Sequence, residues 1–70
     1  MGKKTELIIN GFKEEVPENA TLSELIRLFM EGDVDLIVEL NGQFVYPRHY
    51  GELRVKPGDR IEFINPNFGG

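Results

Sequence analysis

The fold is set by residues 5–29, TELIINGFKEEVPENATLSELIRLF, and the first half of this stretch predicts a β-hairpin. Weak alternation of aliphatic side chains predicts a strand over Thr5–Ile9, and a second strand is predicted over Phe12–Val16. Between them, Asn10 and Gly11 favour a two-residue turn because both residues tolerate positive φ angles. The chain therefore begins with two antiparallel strands.

The second half of the same stretch predicts one helix of about nine residues, a length read from its apolar period. Thr21 and Glu24 stand three positions apart as a capping box at its start. Gly32 predicts its end, since glycine adopts the left-handed conformation after a helix at little cost. Four apolar residues recur at helical spacing and predict one buried face: Leu22, Leu25, Ile26 and Phe29.

Downstream of the helix, the sequence predicts a second hairpin and a closing strand. The hairpin joins an aliphatic strand, Leu36–Leu40, to a short return, Gln43–Val45, through another Asn-Gly turn. The residues after Pro47 have no clear period and are predicted to form a loop with a helical turn. A Pro-Gly-Asp turn then leads into a last strand over Arg60–Ile64.

The predicted order of hairpin, helix, hairpin, irregular crossing and final strand is that of the ubiquitin-like β-grasp. This is an α+β fold in two layers, with a mixed sheet of four to five strands covered by one main helix. In this topology the last strand lies inside the sheet beside the first. We therefore expect a domain over residues 1–64 and a flexible C-terminal tail over residues 65–70 that ends in Gly-Gly.

The size and composition of the chain argue against an enzyme. Seventy residues form one domain, near the size at which an apolar core only just outweighs chain entropy, which leaves no room for a deep catalytic pocket. The absence of cysteine excludes a thiolate nucleophile and a zinc ribbon. His49 has no second histidine or convergent carboxylates. We therefore predict no catalytic residue and no metal site.

The net charge of −4 is concentrated in the first 40 residues, which hold nine acidic side chains against four basic ones. This balance argues against nucleic-acid binding, which needs a basic stripe to neutralise phosphates. No apolar run is long enough to span a membrane, and the N-terminus lacks the apolar segment of a signal peptide. We expect a cytoplasmic protein that is a monomer when free.

The last two residues of the sequence are both glycine and have no evident structural use. With glycine at about 7% of average usage, two specified positions are both glycine about once in 200 chains. The residues after Ile64 span at most about 20 Å when extended, enough to carry a carboxylate into another protein. The ending therefore favours a reacting carboxylate over a frayed terminus or an expression scar.

In this order, the motifs resemble the ThiS and MoaD sulfur carriers, ubiquitin-like proteins of thiamine and molybdopterin biosynthesis. The resemblance spans nearly the whole chain and is carried by Asn41-Gly42, Val45, Pro47-Arg48, Tyr50, Lys56, Gly58-Asp59, Ile61 and Gly69-Gly70. The element around Pro47 and Arg48 is closer to the thiamine-type carriers, with Tyr46 inserted relative to them. Pro66 is instead similar to the proline-containing tails of the molybdopterin branch.

The resemblance implies that Gly70 carries the reacting group and that no cofactor is bound stably. An adenylyltransferase similar to the ubiquitin-activating enzymes would use Mg-ATP to adenylate the Gly70 carboxylate, and a sulfur donor would then convert it to a thiocarboxylate. The acceptor would be thiazole synthase or the large subunit of molybdopterin synthase. Gly69 and Phe68 would thread the partner's site, and Arg48 and Tyr50 are candidates for the partner surface.

Several alternatives stay open at this point. The chain could be a carrier of the molybdopterin-synthase small-subunit type, a ubiquitin-like modifier joined to lysines through Gly70, or a plain interaction module. Phe68 could fold back on its own domain instead of docking in a partner. Arg48 and Tyr50 could equally lie in solvent or at the edge of the core.

Overall fold

The computed structural model describes residues 2–30 and 36–65, which form a five-stranded mixed sheet covered on one face by a helix. The elements are β1 (Lys4–Ile9), β2 (Phe12–Pro17), α1 (Leu22–Met30), β3 (Ile37–Leu40), β4 (Gln43–Val45), a 3₁₀ turn (Pro47–His49) and β5 (Arg60–Ile64). The strands lie in the order β2-β1-β5-β3-β4. This architecture confirms the predicted α+β fold of the ubiquitin-like β-grasp type.

Both hairpins turn on an Asn-Gly pair, as predicted. The φ angles are 52° at Asn10 and 87° at Gly11 in the first turn, and 52° at Asn41 and 84° at Gly42 in the second. Two successive positive φ angles define the type I′ turn, whose twist matches that of antiparallel strands. In each hairpin the residues that flank the turn pair directly with each other.

Three strand boundaries differ from the prediction, each by one residue: β1 begins at Lys4 and not Thr5, β2 ends at Pro17 and not Val16, and β3 begins at Ile37 and not Leu36. The proline that extends β2 beyond its predicted end pairs with Lys4. Because β2 is at the edge of the sheet, proline's missing N–H is tolerated there. The predicted helical turn after the second hairpin is confirmed as the 3₁₀ turn.

The N-terminus of α1 carries the predicted capping box. The Glu24 carboxylate accepts the backbone N–H of Thr21 at 2.8 Å, and Thr21 Oγ1 accepts the Glu24 N–H at 3.2 Å. These hydrogen bonds, first of all the one from the Thr21 backbone, hold the pKa of Glu24 below its ordinary value of 4.5. The reciprocal pattern satisfies donors that a helix start otherwise leaves without partners.

The apolar face of α1 is confirmed at three of the four predicted positions. Leu22 and Leu25 are fully buried, and Ile26 packs against the core. The prediction for Phe29 is wrong: its side chain is 37% exposed, whereas the neighbouring Met30 packs against the core. Periodicity decides burial less well at the end of a helix, where fewer residues surround each side chain. The predicted end at Gly32 lies outside the described residues.

The core lies between α1 and the sheet. Its buried apolar residues come from every strand, the helix and the connecting segments: Leu7, Ile9, Val16, Ala20, Leu22, Leu25, Leu36, Val38, Val45, Val55, Ile61 and Phe63. The strands alternate between this core and the opposite side of the sheet, which we call the open face. Each core position in β5 is therefore flanked by residues of the open face.

The irregular crossing between β4 and β5 is held by the start of the helix. The backbone N–H groups of Leu22 and Ser23 donate to the carbonyls of Leu53 and Tyr50, at 3.1 and 3.0 Å. Helix N-termini leave such N–H groups without intrahelical acceptors, so the crossing supplies them. This contact fixes the segment between Pro47 and β5 against the domain.

Candidate functional site

The three tail residues predicted to react or to thread a partner, Gly70, Gly69 and Phe68, lie outside the described residues. Their roles stay predictions. The structure does define the place from which the tail departs, which is the end of β5. That strand lies inside the sheet beside the first strand, as predicted, and the structure shows that it is parallel to β1 and antiparallel to β3. Its final residue, Ile64, pairs with Ile37.

Two turn asparagines hold β5 from its two sides. The backbone N–H of Asn10 donates to the carbonyl of Ile61 at 2.9 Å, and Asn10 Oδ1 accepts the N–H of Phe63 at 2.8 Å. On the other side, the backbone N–H of Asn41 donates to the carbonyl of Arg60 at 2.7 Å, and its Oδ1 accepts the Arg60 N–H at 2.9 Å. Each asparagine side chain thereby continues the hydrogen bonding of the sheet beyond the end of its own strand, β1 for Asn10 and β3 for Asn41.

The turn before β5 is fixed in the same way. Asp59 Oδ2 accepts the backbone N–H of Lys56 at 2.8 Å, and Asp59 Oδ1 accepts the side-chain amide of Asn41 at 3.1 Å. The φ angle of 82° at Gly58 confirms the predicted turn, in which glycine occupies the position that other residues rarely adopt. The strand that carries the tail is thus anchored at its start, along both edges and near its end.

An exposed row of side chains runs along β4 and into the 3₁₀ turn. The rings of Phe44 and Tyr46 meet edge to face, with centroids 4.8 Å apart and planes at 87°. The guanidinium carbon of Arg48 lies 4.9 Å from the centroid of the Tyr46 ring, a cation–π contact. Sequence reasoning singled out Arg48 and missed the two aromatics. The available signal was their spacing of two, which places both on one face of a strand.

Arg48 and Tyr50 are placed differently, although both were predicted as candidates for a partner surface. Arg48 is exposed, whereas Tyr50 is half-buried and packs against the core. The Tyr50 hydroxyl is buried without a hydrogen-bond partner in the described part of the chain, and burial raises the pKa of this group above its ordinary value of 10.0. The predicted partner role of each residue stays a prediction.

An open groove of about 220 Å³ lies beside β4. Its lining consists of Leu40, Gln43, Phe44, Val45, Tyr46, His49 and Leu53. His49 Nδ1 lies 3.4 Å from the carboxylate of Glu52. Among residues 2–30 and 36–65, no three His, Cys, Asp or Glu side chains are grouped closely enough to hold a metal ion.

Among residues 2–30 and 36–65, no helix is both long enough and apolar enough to cross a membrane.

Comparison with known proteins gives a consistent result. The chain matches the ThiS family over residues 2–70. Among solved structures, it is similar to the thiamine biosynthesis protein ThiS from Geobacter metallireducens, at 29% sequence identity and a TM-score of 0.81. The alignment covers 94% of this chain and 100% of that chain. A search of curated proteins found no match. The resemblance stated from the motifs is thereby confirmed.

Proposed function

The chain belongs to the ThiS family, and from this membership we propose that it is a sulfur carrier protein of thiamine biosynthesis whose C-terminal carboxylate is the reacting group. The observation that carries the proposal is the family match, which runs through the Gly-Gly ending to residue 70. The similarity in fold to the Geobacter thiamine biosynthesis protein supports the same pathway.

The proposed reaction begins at the Gly70 carboxylate. A partner adenylyltransferase positions this carboxylate against the α-phosphate of Mg-ATP, a new P–O bond forms, and pyrophosphate leaves. The acyl adenylate is a good electrophile, unlike the free carboxylate. Hydrosulfide then attacks the carbonyl carbon and AMP leaves, so that the chain ends in a thiocarboxylate. If the sulfur arrives as a persulfide, a thiol must cleave the resulting acyl disulfide.

Two glycines suit this task for a steric reason. Without a Cβ, Gly69 and Gly70 fit a narrow channel and adopt φ angles that other residues avoid. Phe68 is proposed to dock in the partner beside the channel. The carrier thus supplies the reacting group, and the partner supplies the catalysis. Sulfur then passes to a thiazole synthase, and we place the whole sequence of reactions in the cytoplasm.

The anchoring of β5 supports the carrier role. Because Asn10 and Asn41 bind this strand on both sides, the tail departs from a point that is fixed relative to the sheet. Residues 65–70 extend at most about 20 Å from there. A partner that recognises the surface around the end of β5 therefore has Gly70 within reach of its active site.

The proposal is tested by ATP–pyrophosphate exchange. The full chain is incubated with the adenylyltransferase encoded in the same genome, Mg-ATP and labelled pyrophosphate. We expect label to enter ATP only when the carrier is present. A variant that lacks Gly70 is the matched control and should give no exchange while keeping the wild-type circular dichroism spectrum. Exchange that is equal with and without Gly70 would refute a reacting C-terminus.

A further inference from the structure

We propose that the two Asn-Gly turns are latent deamidation sites, and that the carboxylate of Asp59 protects Asn41 whereas Asn10 has no such protection. In the folded protein Asn10 therefore reacts first, and reaction at Asn41 loosens the turn that precedes β5. The inference does not depend on the proposed function, because it concerns the chemistry of the chain alone.

Deamidation of an asparagine before a glycine is an intramolecular reaction of the backbone. After a base removes its proton, the glycine amide nitrogen attacks Cγ of the asparagine and a C–N bond forms. The side-chain nitrogen takes up a proton and leaves as ammonia, and water opens the resulting succinimide to aspartate or isoaspartate. Water is consumed, ammonia is released, and no oxidant or reductant is needed. Glycine favours the attack because it has no Cβ beside the nucleophile.

Both turns leave the attacking nitrogen open to solvent. Asn10, Gly11, Asn41 and Gly42 are all exposed. The backbone N–H groups of the two glycines donate no hydrogen bond in the described part of the chain. Apart from the chain neighbours, no heavy atom lies within 4 Å of the position that a Cβ would occupy at either glycine. The reaction is therefore limited by how freely the asparagine side chain turns toward this nitrogen.

The two asparagine side chains are held differently. Asn10 is held through Oδ1, which accepts the N–H of Phe63, and its Nδ2 has no partner among the residues that the structure describes. Asn41 is held at both ends of its amide, because Oδ1 accepts the N–H of Arg60 and Nδ2 donates to Asp59 Oδ1. The Asn41 amide cannot rotate without breaking both contacts.

The acceptor that holds Nδ2 of Asn41 is itself fixed. Asp59 is partly buried, and its second oxygen accepts the N–H of Lys56 at 2.8 Å. Deamidation of a folded chain proceeds through states in which the asparagine is released, and these become rarer with each contact that opening must break. Release of Asn41 breaks one more side-chain hydrogen bond than release of Asn10, and its acceptor is charged. We therefore expect Asn41 to react about tenfold more slowly.

The aspartate product has different effects at the two positions. At Asn10 it keeps the Oδ1 that accepts the Phe63 N–H. At Asn41 it places a carboxylate oxygen where Nδ2 lies, 3.1 Å from Asp59 Oδ1. Two carboxylates so close repel each other, and one hydrogen bond is lost. Because Asp59 also holds Lys56, the turn at the start of the strand that carries the tail is loosened.

The chain contains its own controls for this comparison. Ile9 precedes the first Asn-Gly pair and Leu40 precedes the second, so the flanking residues are similar. The two sites should therefore react at similar rates in the unfolded chain. Asn19 also has a positive φ angle, 64°, but Ala20 follows it and its methyl group hinders the attack. Asn19 is the internal negative control.

The test follows all three asparagines in the same molecules. The full chain is incubated in mildly alkaline buffer, with and without urea, and peptide mapping by mass spectrometry gives the deamidated fraction at Asn10, Asn19 and Asn41 over time. The quantity compared is the ratio of the Asn10 rate to the Asn41 rate in buffer, divided by the same ratio in urea. We expect a value of about ten, with Asn19 slowest throughout.

The variant Asp59→Ala tests the protection directly. It removes the acceptor of the Asn41 amide, so the rate at Asn41 should rise about tenfold relative to the rate at Asn10. Asn10 reports any general loss of stability, because a less stable fold accelerates both sites. The control Glu52→Ala removes a carboxylate outside both turns and should leave the ratio unchanged.

A swapped pair tests the consequence for the fold. Asn41→Asp should lower the midpoint of urea unfolding, whereas Asn10→Asp should leave it close to that of the wild type. The double variant Asn41→Asp/Asp59→Asn again places a donor opposite an acceptor at this contact. It should recover most of the loss caused by Asn41→Asp.

Three outcomes would overturn the inference: equal relative rates at Asn10 and Asn41 in the folded protein, a ratio that Asp59→Ala does not change, or an Asn41→Asp variant as stable as Asn10→Asp. None of these measurements involves the adenylyltransferase. Their failure leaves the carrier function standing, and a chain that supports no ATP–pyrophosphate exchange can still show the predicted order of deamidation.

Discussion

The side-chain oxygen Oδ1 of Asn10 accepts a hydrogen bond from the backbone N–H of Phe63 at 2.8 Å, across 53 positions of sequence. The first turn of the protein is thereby joined to its last strand. The neighbouring parallel ladder between β1 and β5 ends here because β1 turns away after Ile9. The asparagine side chain supplies the acceptor that a longer β1 would have supplied.

This contact predicts a graded effect of substitution at residue 10 on stability. Asn10→Gly keeps the favourable turn conformation and removes the acceptor, so we expect a loss of about 1 kcal/mol in the free energy of unfolding. Asn10→Ala should lose more, because alanine is also strained at positive φ. Asn10→Asp retains an acceptor and should lie nearest the wild type. Urea denaturation measures all three, and a glycine variant as stable as the wild type would contradict the account.

The sequence predicts the turn at Asn10 but not the hydrogen bond from Phe63 to its side chain. Its turn is local, since two adjacent residues determine the type I′ conformation, and the same holds for the capping box of Thr21 and Glu24. The hydrogen bond to Phe63 depends on which strands become neighbours, and no local pattern contains that information. The order of elements predicted the strand pairing only through the β-grasp topology.

The candidate site was predictable in part for the same reason. Its last strand, Arg60–Ile64, was predicted with the observed bounds, and the Gly-Gly ending is legible in the sequence itself. The alignment of Glu39, Phe44 and Glu62 across three strands was not predicted, because it depends on a strand register that only the structure gives. The packing of Tyr50 against the core was also not predictable, because a tyrosine in an irregular segment has no periodic pattern that would indicate its burial.

The capping box predicts that acid removes a specific contribution to stability. Because hydrogen bonds lower the pKa of Glu24 in the folded state, its contribution is present above its ordinary pKa of 4.5 and is lost as the pH falls through the lowered folded value. Glu24→Gln should therefore melt at a lower temperature than the wild type at pH 7, and the difference should shrink below pH 4.5. Glu15→Gln, which removes an exposed carboxylate, is the control. A difference that is independent of pH would contradict this role.

The buried hydroxyl of Tyr50 predicts a stabilising substitution. It has no hydrogen-bond partner among the described residues, so Tyr50→Phe should raise the free energy of unfolding by about 1 kcal/mol. Burial raises the pKa of Tyr50 above its ordinary value of 10.0. The contribution of the neutral phenol to stability is therefore complete below pH 10.0 and is lost as the pH rises through the raised pKa of the folded state. Tyr50→Phe should reduce this alkaline loss. Tyr46→Phe, at an exposed ring, is the control and should leave the free energy of unfolding at pH 7 unchanged.

Arg48 is predicted to matter more for binding than for folding. Its exposed cation–π contact with Tyr46 contributes about 0.5–1 kcal/mol at most, so Arg48→Ala should lower stability only slightly. If the residue belongs to the partner surface, the Kd for the adenylyltransferase should rise severalfold, and Arg48→Lys should recover part of the loss. An unchanged Kd with both variants would place Arg48 outside the interface.

The final glycine is predicted to be dispensable for folding and essential for the reaction. Gly70→Ala should leave the melting temperature unchanged, since substitutions at a chain end disturb few contacts. It should sharply reduce the rate of ATP–pyrophosphate exchange, because the added Cβ obstructs the channel of the partner. Parallel losses of stability and exchange would instead indicate that the tail has a structural role.

The most direct test of the carrier function is the intact mass of the chain after incubation with the adenylyltransferase, Mg-ATP and a sulfur donor. The account predicts an ATP-dependent increase equal to the difference between a sulfur and an oxygen atom, which fragmentation assigns to Gly70 and which the variant lacking Gly70 does not show. An unchanged mass would contradict it, as would Gly70 becoming joined to lysines of other proteins without any thiocarboxylate.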